Sequence, residues 1–342
     1  MQGKWGYKMK KLLSVTLITV LCLAMLAGCG SSENAAGQDD GAVTLRVALG
    51  NASSWSDMAN AFKEEVEEKS NGQITVDLFP DNQLGGEREV VEAAQLGDID
   101  IAMTATSPIA SLVPDLYLFD APYLFTSRED AYEILDGEIG EQILEVFESK
   151  GLKPLGGFGE NGFRNLTTTD RNVSGPEDLR GLKIRVMENE VHISAWTAFG
   201  ANPTPMSWAE VFTGLQQKTI DGQENPIEVI YNGGLDEVQQ YLILTEHVYN
   251  PMLMLMNIDE FNSLSPENQE ILLTAAENAK QYQREQAQMY EEQMLSELRE
   301  ADMEVVELSE SQKQSFRDLL DDTYQLVKDS MEHPEFMDEI LK

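Results

Sequence analysis

The sequence predicts an α/β protein built as two lobes. Three observations predict this fold: strands and helices alternate over 43–103, a second α/β unit follows over 163–226, and a long uninterrupted helix begins at Ser265. The chain has 342 residues, of which 42% are apolar, so it can form two hydrophobic cores.

In the first 60 residues of the predicted fold, apolar residues are spaced alternately as in strands and as in helices. Apolar side chains alternate over 43–49, as in a strand, whereas Met58, Phe62 and Val66 recur on one face of a helix. The remaining predicted elements are strands at 74–79 and 99–103 and a helix at 85–96. Strand, helix, strand, helix, strand predicts right-handed crossovers and a parallel sheet.

Polar residues follow the predicted strands of this sheet. Asn51, Glu87 and Thr106 lie in the three loops, and ligands of open α/β sheets bind beyond the carboxyl ends of strands. Each residue is also explained as an ordinary turn or cap residue.

The second half of the chain is predicted to form another α/β unit. The predicted elements are helical structure at 122–150, strands at 155–158, 163–169, 182–187 and 249–258, and helices at 190–199, 208–217 and 312–328. Pro203-Thr204-Pro205 is predicted to break the chain between two helices, and Asn225 is predicted to lie at a turn before Pro226.

The predicted helix 265–301 is unusually long. Ser265 suits the N-cap and Pro266 the first turn, and neither proline nor glycine interrupts the chain as far as Ala301. At 1.5 Å per residue such a helix measures roughly 50 Å, longer than one small domain. We expect it to bridge both lobes; a long acidic surface helix is the alternative.

The first 28 residues read as an export signal. Lysines precede an apolar run from Leu12 to Ala27, and Leu26-Ala27-Gly28-Cys29 resembles a bacterial lipobox. Cys29 is therefore the expected lipidation site, and 29–43 is expected to be a lipidated cysteine with a flexible tether. The protein would be exported and lipid-anchored to the outer face of the cytoplasmic membrane. A retained transmembrane anchor is the alternative, but the apolar run is short for one.

The charge of the chain excludes some partners. Twenty-four Lys and Arg against 60 Asp and Glu give a net charge of -36, which repels nucleic acid and anionic membranes. Residues 157–162 match GxGxxG, but the following residues favour a strand, so no helix N-terminus meets a pyrophosphate. His192, His247 and His333 are far apart in sequence. We expect neither metal nor cofactor.

Two arginines stand out in so acidic a chain. Arg185 lies in the predicted strand 182–187, and Arg164 lies in a predicted strand just after the glycines that lead from one lobe to the other. A planar guanidinium matches two carboxylate oxygens, so two arginines near a crossover suit an organic acid. The pattern alone is equally consistent with a solvated Arg185.

Several ordered motifs surround these arginines. They are Gly181-Leu182-Lys183-Ile184-Arg185-Val186, Gly200-Ala201-Asn202-Pro203-Thr204-Pro205-Met206, Glu210-Val211-Phe212 and Asp221-Gly222-Gln223-Glu224-Asn225-Pro226. In this order the motifs resemble the DctP-type solute-binding proteins of TRAP (tripartite ATP-independent periplasmic) transporters. The resemblance extends from about Thr44 to about Thr323.

The resemblance implies a fold and a set of ligand-binding residues. It implies two lobes that close on a ligand in the cleft between them and are joined by crossing strands and one long helix. Arg185 would form the principal salt bridge to the ligand carboxylate and Arg164 a second contact. The other implied ligand-binding residues are Asn225, Trp208 and, at the distal end of the ligand, Asn51, Glu87 and Thr106. A core position for Trp208 and a turn position for Asn225 are the alternatives.

The expected lobes are discontinuous in sequence. Lobe I would comprise 44–162 and 250–290, and lobe II 163–249 and 291–342.

The expected function is capture of a small organic acid and its delivery to TRAP membrane permease subunits. Val186 to Asn189, His192 and Trp196 are similar to members that bind sugar acids such as uronates, while C4-dicarboxylates and other carboxylates stay open. Two other classes are also open: a receptor that presents its ligand to a sensor kinase, and an enzyme acting on organic acids. The enzyme lacks support, because no spacing singles out a general base with a partner.

Overall fold

A computed structural model of the chain describes residues 42–301 and 303–342. The predicted export signal, Cys29 and nearly all of the predicted tether lie outside the described residues. Among the helices of the described ranges, none combines the length and the apolar character needed to cross a membrane.

The described residues contain ten strands. They are β1 (Val43–Ala48), β2 (Ile74–Phe79), β3 (Ile101–Ala105), β4 (Leu152–Thr168), β5 (Lys183–Val186), β6 (Asn202–Pro205), β7 (Gly222–Pro226), β8 (Tyr241–Leu244), β9 (Tyr249–Asn257) and β10 (Glu304–Glu307). The strand order is β2-β1-β3-β9-β4-β7-β5-β6, with β8 paired to β4 and β10 paired to β8. The described strands therefore form one connected sheet that runs through both lobes.

Helices cover the faces of this sheet. They are α1 (Ser53–Lys69), α2 (Glu87–Leu96), α3 (Arg128–Leu135), α4 (Glu138–Ser149), α5 (Glu190–Ala198), α6 (Trp208–Gln216), α7 (Ile227–Asn232), α8 (Ile258–Ser263), α9 (Pro266–Glu300), α10 (Glu310–Arg317), α11 (Asp321–Ser330) and α12 (Glu335–Ile340).

The predicted parallel unit is confirmed in the part of the chain that is assigned to lobe I above. Strand β1 pairs in parallel with β2 and β3, and α1 and α2 are the crossover helices. Strand β3 then pairs antiparallel with β9, which returns from much later in the chain. The sheet is therefore mixed, because β9 inserts between β3 and β4.

Strand β4 corrects the prediction of two separate strands at 155–158 and 163–169. It is one strand of 17 residues. Gly156, Gly157 and Gly162 have φ values of +72°, +75° and +104°, and the register with β9 shifts beside them. These glycines bend the strand at bulges instead of ending it. The GxGxxG match at 157–162 lies within this strand, and the residues after it continue the strand instead of starting a helix, as predicted.

Three further predictions about the second half are wrong. Pro203-Thr204-Pro205 does not break the chain but belongs to β6, an edge strand where a missing N–H is tolerated. Asn225 lies within β7 instead of at a turn. The region 312–328 contains two helices, α10 and α11, instead of one, whereas 122–150 is helical as predicted and contains α3 and α4. In each of these two regions a short loop that contains no proline separates the two helices.

The long helix is confirmed as α9, with 35 residues. The Ser265 side chain accepts a hydrogen bond from the backbone N–H of Asn268 (3.3 Å), as expected for an N-cap. Helix α9 packs against α1 and β4 and also against α7 and β10. It therefore contacts elements at both ends of the connected sheet.

A buried carboxylate joins α7 to the first turn of α1. The backbone N–H and hydroxyl of Ser54 donate to Glu228 at 2.5 and 2.8 Å, and Gln283 of α9 donates to the same hydroxyl. A carboxylate at a helix N-terminus satisfies free N–H groups. Burial nevertheless raises the pKa of Glu228 to about 7, and the Asp57 charge adds to this rise.

We expect Glu228→Gln to flatten the pH dependence of stability. The folded protein binds the Glu228 proton more tightly than the unfolded chain, whose pKa is near 4.5, so the free energy of unfolding falls as pH rises from about 4.5 to about 7. Glutamine keeps an acceptor for Ser54 without the charge. Melting temperatures of the variant should match the wild type at pH 5 and exceed it at pH 8. Glu64→Gln, an exposed change on α1, should leave the pH profile unaltered.

Candidate ligand-binding site

A cavity lies where the carboxyl ends of the lobe I strands face β5, β7 and the start of α6. Its volume is about 60 Å³. One water needs roughly 10–15 Å³ on this scale, so the cavity has room for about five waters and suits a small organic molecule. Six of the seven predicted ligand-binding residues line it: Arg185, Arg164, Asn225, Trp208, Asn51 and Glu87.

Thr106 is the predicted residue that the structure does not bring to this cavity. It is fully buried, and its hydroxyl lies 3.5 Å from the carbonyl of Pro251. A 3₁₀ turn begins at Ser107, so the chain folds inward at Thr106. Its neighbours Ala105 and Pro108 line the cavity instead.

Arg185 provides a buried positive charge on β5. Its side chain is 3% exposed, which rules out a solvated arginine. Its Nε donates to the carbonyl of Met206 (2.9 Å), and it forms no ion pair with any described carboxylate. Burial lowers the pKa of Arg185 to about 10, still far above neutrality, so the guanidinium is charged. A buried cation without a carboxylate partner favours binding of an anion.

Arg164 is also buried, but it has a carboxylate partner. Its Nε donates to Glu224 Oε2 (2.5 Å) and one terminal amino group donates to Oε1 (3.0 Å). The other terminal amino group donates to Asn250 Oδ1 (3.2 Å). Most of its donors are therefore used within the protein. Glu224 was not among the predicted residues, although it lies in the Gln-Glu-Asn-Pro motif that drew attention to Asn225.

The Arg164–Glu224 pair extends into a buried polar network. His247 Nε2 lies 3.2 Å from Glu224 Oε2, and His192 Nε2 lies 3.1 Å from Asp120 Oδ1. Burial opposes ionisation of Glu224, but Arg164 and His247 hold the pKa of its carboxyl well below the usual range. Burial also lowers the pKa of His247. The charge of Arg164 in the cavity wall is therefore paired with that of Glu224 within the protein.

Glu87 and Asn51 contribute polar atoms from lobe I. Glu87 Oε2 accepts hydrogen bonds from the backbone N–H of Ala105 (2.8 Å) and the hydroxyl of Thr104 (3.2 Å). Burial raises the pKa of Glu87. The backbone carbonyl of Asn51 accepts a hydrogen bond from the Asn232 side chain (3.1 Å), which links the two lobes at the edge of the cavity.

Trp208 and Asn225 line the cavity from lobe II. Trp208 begins α6 and packs partly against the hydrophobic cores while lining the cavity, so the core and ligand interpretations both apply. Asn225 is 5% exposed and donates to Gln223 Oε1 (2.6 Å). A methyl group at Gly233 would lie 2.9 Å both from Cζ2 of the Trp208 ring and from the backbone carbonyl oxygen of Val229, so this glycine lets the ring pack against the end of α7.

We therefore expect Gly233→Ala to displace the Trp208 ring and to weaken ligand binding roughly tenfold, about 1.4 kcal/mol. Isothermal titration calorimetry measures this loss, and intrinsic tryptophan fluorescence reports the ring. Gly175→Ala is the matched control, because its added methyl group meets only the flexible side chain of Glu177. Unchanged affinity in Gly233→Ala would show that the position of the Trp208 ring does not matter.

Metal chemistry finds no support in the described ranges. No group of three or more His, Cys, Asp or Glu residues there is arranged to hold a metal ion.

Two α/β lobes that share a crossing strand and enclose a small cavity with a buried free cation define a class of protein that binds small anionic solutes. The comparison with protein families gives the same class. Residues 47–330 match the family described as bacterial extracellular solute-binding protein, family 7 (DctP), and the chain belongs to this family.

Individual relatives are similar over most of the chain. A solute-binding protein of Verminephrobacter eiseniae is 42% identical over 72% of this chain and 74% of its own length. The 2,3-diketo-L-gulonate-binding periplasmic protein YiaO of Escherichia coli is 38% identical over 77% of this chain and 79% of its own. The crystal structure of the sugar acid binding protein DctPAm from Advenella mimigardefordensis in complex with galactonate has a TM-score of 0.84 and 34% identity, covering 87% of this chain and 96% of that one.

Proposed function

We propose that this protein captures a small organic acid outside the cytoplasmic membrane, with sugar acids as the preferred class, and delivers it to the membrane subunits of a TRAP permease. The observation that carries the proposal is the Arg185 guanidinium, which is buried in the cavity wall without a carboxylate partner. A ligand carboxylate would supply the missing charge and accept two hydrogen bonds from the guanidinium.

The roles of the other cavity residues follow from their remaining hydrogen-bonding capacity. Arg164 would add positive charge but few free donors, because Glu224 and Asn250 occupy most of them. Trp208 would pack against the carbon chain of the ligand. Asn225, Asn51 and Glu87 would contact its polar groups. The galactonate bound to DctPAm and the diketogulonate in the name of YiaO support a sugar acid.

Binding would favour closure of the lobes. A ligand stabilises the conformation in which both lobes contact it, and the empty site leaves a buried charge that water solvates better when the cleft is open. The role is binding and not catalysis. Purified protein should therefore not convert any acid that it binds.

A lipid on Cys29 would hold the protein at the outer face of the membrane. The proposal rests on the lipobox-like run that ends at Cys29 and on the polar segment that follows. Metabolic labelling with a fatty acid analogue should label the wild type and not Cys29→Ser.

A thermal-shift screen against organic acids tests the proposed function. D-galactonate, D-glucuronate and succinate are suitable first ligands. A tight ligand at 100 times its Kd stabilises the protein by about 2.7 kcal/mol, so the melting temperature should rise by several degrees. A panel of sugar acids and dicarboxylates that produces no shift and no heat of binding would contradict the proposal.

A further inference from the structure

Arg88 is a third arginine of the cavity, besides Arg185 and Arg164, and sequence reasoning did not select it. It is the second residue of α2 in lobe I and lines the cavity together with Glu87. Arg185 lines the same cavity from β5 in lobe II. The two cations therefore approach the ligand space from different lobes.

The hydrogen bonds of Arg88 are incomplete. One terminal amino group donates to the backbone carbonyl of Glu188 (3.1 Å), three residues beyond Arg185. Its Nε is buried and has no acceptor in the described part of the chain, and no described carboxylate forms an ion pair with it. A buried donor of a charged group without an acceptor is unfavourable, so an acceptor from outside the chain would stabilise it.

The position of Arg88 adds to this cost. A cation in the first turn of a helix faces the positive end of the helix dipole. The side chain nevertheless reaches the backbone carbonyl of Glu188 in lobe II, where it forms a hydrogen bond that is exposed to solvent. These contacts indicate that Arg88 serves the cavity and not the stability of α2.

Glu87, the preceding residue, has a hydrogen-bond acceptor without a donor among the described residues. Both described donors, Ala105 N–H and the Thr104 hydroxyl, bind Oε2, and no described residue donates to Oε1. The lobe I side of the cavity therefore offers one unused acceptor and one unused donor, on the first two residues of α2. A hydroxyl group can donate to the first and accept from the second, whereas a carboxylate can only accept.

We propose that Arg88 is a specificity-determining residue that donates to the terminal hydroxyl of the bound acid, at the end farthest from the carboxylate on Arg185. The proposal deepens the proposed function and rests on it. The same side chain binds lobe II through Glu188, so the hydroxylated end of the ligand and the closed arrangement of the lobes support each other.

Calorimetry with two sugar acids tests the proposal. The ligands are D-galactonate and D-fuconate, which is the same acid without the terminal hydroxyl. The wild type should bind galactonate more tightly. Arg88→Ala should weaken galactonate binding by about 10- to 100-fold, the effect of losing a hydrogen bond to a charged group, and fuconate binding less than about threefold. Arg88→Lys should not restore the preference, because an ammonium does not reproduce the planar fork.

Controls separate this inference from folding and from the proposed function. Arg180→Ala removes an exposed arginine of lobe II and should leave both affinities unchanged. Melting temperatures without ligand should be similar in all variants. Equal losses for galactonate and fuconate in Arg88→Ala, or no loss for either, would overturn the role of Arg88 while the binding function stands. A wild type that binds neither sugar acid would overturn the sugar-acid ligand class itself.

Discussion

Arg185→Ala should weaken binding of the organic acid by at least about 100-fold. Removing one partner of a buried charge pair costs roughly 3–5 kcal/mol, and 1.4 kcal/mol corresponds to a factor of ten in affinity. Arg185 lies in this regime because it is 3% exposed and its guanidinium has no carboxylate partner in the described ranges. Arg185→Lys should fail as well, since a point charge does not bind two carboxylate oxygens in one plane. Titration calorimetry with the tightest acid of the screen measures both losses.

The unliganded Arg185→Ala protein should be at least as stable as the wild type. Burial lowers the pKa of Arg185 to about 10, which means that the folded environment disfavours its charge. Lys183→Ala is the matched control, because Lys183 is an exposed cation of the same strand. It should not change affinity. A loss of less than about fivefold in Arg185→Ala would place Arg185 outside the binding site.

Glu224→Gln should destabilise the fold by about 3 kcal/mol or more. The substitution leaves Arg164, which is 1% exposed, without a negative partner. The entropy of unfolding is about 2.1 cal/mol/K per residue, so for about 300 folded residues the melting temperature should fall by roughly 5 °C or more. Because the pKa of Glu224 is depressed, the stability that it contributes is present above its ordinary value of 4.5 and is lost as the pH falls toward the folded-state pKa. The difference between variant and wild type should therefore shrink in acid.

Two further variants test the origin of this effect. Arg164→Met combined with Glu224→Met removes both charges and should recover much of the lost stability, as apolar replacements of buried ion pairs often do. Glu307→Gln breaks the exposed Arg299–Glu307 pair and should change stability by less than about 1 kcal/mol. Similar losses for Glu224→Gln and Glu307→Gln would show that burial of the pair is unimportant.

Sequence reasoning succeeded where the hydrophobic period was unambiguous. The strand at 74–79 and the helix from Ser265 were predicted almost to the residue, because alternation and a Ser-Pro start are local signals. It failed where tertiary contacts decide. Strand β4 continues through Gly156 and Gly157, because β9 pairs with it on both sides of these glycines and β7 pairs with it from Arg164 onwards. Pro203 can lie in a strand because β6 is at the edge of the sheet, where a missing N–H is tolerated.

The candidate site shows the same division. Arg185 lies in a motif that the sequence displays directly, Glu87 follows from its place in a loop after a predicted strand, and Trp208 follows from the resemblance to a family. Arg88 and Glu224 were missed, because their significance depends on partners from distant parts of the chain. Glu224 matters because Arg164, 60 residues earlier, donates to it, and Arg88 matters because it reaches the carbonyl of Glu188, 100 residues later. No local pattern shows which of 60 acidic residues is buried.

The path of β4 has a consequence for unfolding. Its first part pairs with β9, and its last part pairs with β7 and β8. Each lobe therefore depends on β4 for its part of the sheet. If one lobe unfolds and its part of β4 loses its pairing, the sheet of the other lobe is disrupted as well. Proteins whose domains are joined by flexible linkers often unfold in separate steps. Here the shared strand couples the two cores, so heat should melt both lobes in one cooperative transition, and a ligand in the cleft should raise the temperature of that whole transition.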